Sequence, residues 1–178
     1  AEIGRLQAQG VGVVFAFGSE EDRKNSSQVI AAALQGGLGL PDRDYYLKKD
    51  AKSAELRKKY VEHVAKMLEL AGAKPAKAAA DAKAIAALET QLAQASMDNV
   101  EIRDPDKTHH PMSLEAFSRT NPGLEWAAFF REQNLPADVS INVWQPDFFR
   151  AADKLLKSTP LPTWKAYLRW HVLDSLAY

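Results

Sequence analysis

There is no cysteine in this chain of 178 residues. Disulfides, thiolate-held zinc and a cysteine nucleophile are thereby excluded, while the compartment stays open, because exported bacterial proteins often lack cysteine too. A surplus of either charge is also missing, with 23 Lys plus Arg against 23 Asp plus Glu. Nothing basic points to nucleic acid or to an anionic membrane, so neither is expected as a partner. No apolar run reaches the roughly 18 residues a transmembrane segment requires. The opening "AEIGRLQAQG" carries neither the charged nor the apolar region of a signal peptide and reads as the tail of a helix stopped at Gly10. The closing "WKAYLRWHVLDSLAY" is an apolar helix without a stop signal. Both ends imply a piece of a longer polypeptide.

Motifs that would name a reaction are absent as well. None of the four histidines, His63, His109, His110 and His171, begins H-E-x-x-H, so the helical two-histidine zinc site with its glutamate base is not here. There is no G-x-S-x-G elbow, no phosphate loop and no G-x-G-x-x-G after a strand. His109 and His110 lie near Asp104 and Asp106, donors from which a small transition-metal site could be built. Neighbouring histidines point in different directions, however, and the favoured reading is a solvated loop. His63, after Glu62, reads as a surface residue, and His171, beside Trp170, as a packed core histidine. The acidic pairs Asp42 with Asp44 and Glu20 with Glu21 read as exposed turns, and Trp126, Trp144, Trp164 and Trp170 as core. No catalytic or metal-binding residue is assigned, and any substrate-binding residue is unknown.

What is present is the material of one globular domain, 46% hydrophobic and 26% charged. "VGVVFAF" and "QVIAAAL" are short β-type runs flanking the charged "GSEEDRKNSS", which predicts a hairpin near the N-terminus with a long exposed loop. Helices follow. Ser53 is the expected N-cap of a segment in which Leu56, Tyr60, Val64, Leu68 and Ala71 recur at helical spacing before Gly72 closes it. Pro75 opens a second helix with Asp81, Ile85, Leu88, Leu92 and Ala95 along one face, and the two are expected to pair antiparallel. Residues 97–113 read as a loop. Short helices are expected after Ser113 and in "GLEWAAFFREQN", a longer one from Pro146, and a last one apolar nearly all round. The fold class is therefore mainly α, a multi-helix lobe with a small β-hairpin near the N-terminus.

One turn is specified more heavily than a loop needs. In "GGLGLPDRDYYL", Gly36 and Gly37 permit positive φ, Gly39 permits a second bend, and Pro41 fixes φ before Asp42. Asp42 can cap a short helix whose Tyr45 and Tyr46 dock on neighbouring helices, and Arg43 pairs with a carboxylate or faces solvent. Such a turn fits a strand-to-helix junction buried between layers.

The same stretch resembles the segment typical of the N-terminal region of neprilysin-like zinc metalloendopeptidases. Further pieces follow in the family's order: "YVEHVAKMLELAG", "ALETQLAQAS", "WAAFF", "NVWQPDFF" and "WKAYLRWHVLD". The resemblance runs from about Val11 to the end and is to bacterial members, since the cysteines of mammalian relatives are missing. It implies a two-lobed helical enzyme around a central chamber, hydrolysing peptides with zinc as cofactor and a glutamate base that lie outside this chain. It also implies that residues 1–178 form part of the non-catalytic lid or shell, inactive alone, on which the catalytic domain packs. A periplasmic, envelope-associated or secreted location goes with it. From the residues alone, a free-standing helical module that binds a protein or peptide through its last helix remains the other reading.

Overall fold

The computed structural model describes residues 2–136 and 138–176. Its elements run α1 (Glu2–Ala8), β1 (Phe15–Asp22), β2 (Asn25–Gln35), α2 (Asp44–Leu47), α3 (Ala51–Leu70), α4 (Pro75–Ala95), β3 (Pro111–Ser113), α5 (Leu114–Thr120), α6 (Trp126–Glu132), β4 (Ser140–Val143), α7 (Pro146–Ser158) and α8 (Leu161–Leu176), with two 3-10 turns, Glu101–Arg103 and Pro105–Lys107, before β3. Among the described residues the protein is mainly α, as the periodicity predicts. The chain divides into two compact units, residues 1–37 with 95–158 and residues 38–94 with 159–178.

The first unit is built on a four-stranded sheet in the order β1-β2-β4-β3. β1 and β2 are antiparallel, but the expected long loop between them is not there. The ladder continues through Glu20–Ile30 and Glu21–Val29, and the chain reverses at Arg23 and Lys24, where Asp22 Oδ1 accepts the Lys24 N–H at 2.9 Å. The ladder pairs the backbone of Glu20 and Glu21 with β2, so polarity alone does not break the strand. β2 and β4 are the inner strands, parallel to each other through Ala31, Ala32 and Ala33 of β2. Ile30 to Ala33 are all buried, the pattern of a strand covered on both faces, and this is why the run shows no alternation. β3 and β4 were not foreseen, and the stretch 97–113 is not a plain loop but holds the two 3-10 turns and β3. Strands of three and four residues are too short to show a period.

Against this sheet's unit packs an aromatic core. Phe117 of α5 lies 4.5 Å from Trp126 of α6 and 5.2 Å from Phe149 of α7, ring centre to ring centre, and Phe15 of β1 lies 5.4 Å from Trp126. α5 begins after Ser113 as predicted, and Ser113 Oγ caps it by accepting the Ala116 N–H. Pro146 opens α7 as predicted.

The second unit is helical. α3 begins earlier than expected: its N-cap is Asp50, whose carboxylate accepts the Ser53 N–H at 2.9 Å and the Ser53 hydroxyl at 2.6 Å. Ser53 thus sits in the first turn, because Ala51 and Lys52 are good helix formers and Asp50 caps as well as serine does. α3 buries Tyr60, Val64 and Leu68, while α4 buries Ile85, Leu88 and Leu92 together with Ala78, Ala82 and Ala93. Tyr60 reaches Glu89 across the two helices, at similar distances from the connector on either side, as an antiparallel pair requires. α8 buries Trp164, Ala166, Tyr167, Trp170 and His171 and leaves Leu161 and Leu176 exposed. No helix among the described residues is long and apolar enough to cross a membrane.

Candidate functional site

The reason for the heavily specified turn lies in what it touches. Gly37 takes φ +74°, the left-handed region that glycine enters without strain. Gly39 is needed for space: a Cβ there would lie 2.0 Å from the Tyr60 hydroxyl and 3.2 Å from Trp170 Nε1. Asp42 Oδ1 accepts the Asp44 N–H at 2.8 Å, a turn bond just ahead of α2, but the cap position itself is Arg43, which makes no side-chain cap bond, so the expected cap by Asp42 is displaced by one residue. The Leu40 N–H donates to the Tyr46 hydroxyl at 2.8 Å, which ties the turn to the helix that follows it.

Tyr46 is where the turn enters a buried polar network. Its hydroxyl donates to Glu89 Oε2 at 2.8 Å, and the Tyr60 hydroxyl donates to the same carboxylate at 2.8 Å. Trp170 Nε1 donates to Tyr60 at 2.9 Å, and His171 Nε2 lies 3.1 Å from Glu89 Oε1. Because a carboxylate only accepts, the hydrogen on His171 is assigned to Nε2. Glu89 is wholly buried, and three donors replace its lost water. Burial, and then the negative charge of Glu89, pushes the phenols of Tyr46 and Tyr60 far above the ordinary tyrosine value. The arrangement suits holding the 36–47 turn on α3, α4 and α8. It offers no exposed nucleophile or base.

His171 is in the core, as expected, but through this carboxylate rather than by apolar packing alone. His63 is exposed, its ring 5.7 Å from Trp170 and edge-on to it. Glu89 was missed by sequence reasoning. It stands four residues after Ile85 and three before Leu92, so a charge on the buried stripe of α4 was the available signal.

The histidine pair is not simply solvated. The His110 N–H donates to Asn142 Oδ1 at 2.6 Å and its Nδ1 lies 3.0 Å from the Val143 carbonyl, so that side chain is built into the β3–β4 edge. Both ring nitrogens of His109 are buried and unpartnered. Among the described residues no group of three His, Asp or Glu could hold a metal ion, so the residues present do not fit a zinc site. Glu20 corrects the reading of its acidic pair as a turn. It lies in β1, where its carboxylate accepts from Asn142 Nδ2 at 2.7 Å and from Trp144 Nε1 at 3.0 Å. Trp144 is half-buried rather than core, with the Arg23 guanidinium 4.7 Å over its ring. Arg43 shows neither expected fate fully: its Nε is buried and unpartnered.

Known proteins supply what the side chains do not. The family model described as peptidase family M13 matches residues 1–178. The chain is 29% identical over 174 residues to neprilysin-3 of Drosophila melanogaster, covering 92% of this chain and 22% of that protein. Its identity to the endothelin-converting enzyme homologue of Locusta migratoria is 27% over 177 residues, covering 93% and 24%. The crystal structure of Mycobacterium tuberculosis zinc metalloprotease Zmp1 with an inhibitor superposes with a TM-score of 0.89 at 30% identity, over 96% of this chain and 26% of that one. The chain thus spans less than a third of the length of the relatives it matches. Matched along its whole length, it belongs to peptidase family M13, the neprilysin-like metalloendopeptidases.

Proposed function

We propose that this chain is the non-catalytic N-terminal part of a zinc-dependent endopeptidase that hydrolyses peptides, and that it forms part of the lobe enclosing the substrate chamber. The observation that carries the reading is the family match over all 178 residues together with the 0.89 superposition on a zinc metalloprotease. The residue chemistry agrees with a shell role. The network around Glu89 fixes a turn in place, and neither unit presents a cluster suited to zinc among its described residues. The chemistry of peptide cleavage then belongs to the remainder of the polypeptide, the catalytic domain, which packs on this segment. An envelope or secreted location goes with this reading.

The encoding locus provides the test. An in-frame H-E-x-x-H outside residues 1–178, with a further glutamate, is expected. The longer polypeptide should cleave an unstructured peptide and lose that activity to a zinc chelator, while the 178-residue chain should be inactive. A stop codon directly after Tyr178, with no such motif upstream, sinks the reading.

A further inference from the structure

The second unit carries a groove of about 290 Å³ between the N-terminal halves of α4 and α8 that the reading above does not use. Lys77 and Asp81 of α4 line one side, and Leu161, Pro162, Lys165 and Arg169 of α8 the other. Asp81 is already occupied, both of its oxygens lying 2.8 Å from Lys77 Nζ. Arg169 gives one Nη2 hydrogen bond to the Ala71 carbonyl just past the end of α3. Lys165 is exposed and has no partner among the described residues. The groove therefore sets three cations against one carboxylate. Its apolar part is open too, with Leu161 64% exposed.

We propose that this groove receives an acidic segment of the longer polypeptide, with a carboxylate seated between Lys165 and Arg169 and an apolar side chain on Leu161 and Pro162. Two like charges four residues apart on a helix repel, and a carboxylate between them turns that repulsion into two charge-assisted hydrogen bonds. The charge selects an acidic occupant, and the exposed Leu161 and Pro162 select one with an apolar neighbour. The source follows from length: the chain covers 26% of the Zmp1 chain it superposes on, so most of such a polypeptide remains to pack against it. The proposal rests on the reading of the chain as part of a longer peptidase.

The test is zero-length carbodiimide cross-linking of the longer polypeptide, followed by mass spectrometry of its peptides. Lys165 is expected to form an amide with an Asp or Glu outside residues 1–178 of the same polypeptide. The yield should fall severalfold in about 1 M salt, where charges are screened beyond about 3 Å. Lys165→Glu should lower the thermal midpoint of the longer polypeptide and leave that of the 178-residue chain unchanged. Cross-links from Lys165 only to residues within 1–178, only to a second copy, or not at all while other lysines react, overturn the proposal. Should the longer polypeptide cleave peptides and yet give one of those results, the groove alone is refuted. If no longer polypeptide exists, both readings fall together.

Discussion

At the scale of the residue, the Glu89 network makes the sharpest claims. Tyr60→Phe removes a donor to Glu89 and the acceptor of Trp170 Nε1, leaving two buried groups short of a partner. Denaturant unfolding should show a loss of about 1–3 kcal/mol, the usual cost of an unsatisfied buried group. Gly39→Ala drives its Cβ to 2.0 Å from a hydroxyl pinned by two hydrogen bonds, and overpacking of this kind costs about 1–3 kcal/mol. A Gly39→Ala variant as stable as the parent chain would show that the turn is not seated on Tyr60. Alkaline titration tests the network without mutation. The phenols of Tyr46 and Tyr60 are raised in the folded state, so their contribution is whole below the unfolded value of about 10 and is lost as the pH climbs beyond it. Phenolate absorbance should leave at least two of the five tyrosines un-ionised until the chain unfolds. If all five ionise near pH 10 with the circular dichroism intact, the network is wrong. The turn's importance was legible in its glycines, proline and tyrosines, but its purpose was not. That purpose depends on residues 89, 170 and 171, which come to it from remote parts of the chain and carry no mark of their pairing.

At the scale of the element, local signals succeeded where a helix is long enough to repeat its pattern. Tyr60, Val64 and Leu68 of α3 and Ile85, Leu88 and Leu92 of α4 lie on the buried faces that spacing predicts. The failures share a physical cause, which is that pairing across the chain overrides local composition. "GSEED" is strand because Val29 and Ile30 pair with it, and β3 and β4 exist because each is the other's neighbour and β2 is β4's. The start of α3 offers two competent caps, Asp50 and Ser53, and its pH response separates them. Hydrogen bonds from the Ser53 hydroxyl and N–H hold the Asp50 carboxyl below the usual aspartate value. A depressed carboxyl stabilises the fold above its unfolded value of about 3.9 and loses that effect as pH falls through the lower folded value. The gap in thermal midpoint between the parent chain and Asp50→Ala should accordingly be constant at neutral pH and close in acid below about pH 4. A gap unchanged into that acid range would mean that the carboxylate is not the cap.

At the scale of the whole molecule, α8 leaves apolar side chains open at both of its ends. Leu161 and Leu176 at the two ends of α8 are 64% and 57% exposed, and Val100 is 80% exposed. Single exposed apolar residues are ordinary on a folded surface. Here, however, two lie on one helix, one of them in a cationic groove, in a chain that spans 22% and 24% of two family relatives. If the longer polypeptide covers α8, full burial of two leucines contributes about 1.5–3 kcal/mol each, an upper figure when they are already partly covered. At about 2–4 °C per kcal/mol for a domain of this size, the thermal midpoint of this region should rise by several degrees in the longer polypeptide. Binding of an apolar dye per chain should fall together with it. The rise must also survive high salt, because burial of leucine is not screened, whereas the share due to Lys165 and Arg169 is. Equal midpoints for the two lengths at every salt concentration would leave α8 solvent-facing in the intact protein, open to a separate partner rather than covered by the rest of its own polypeptide.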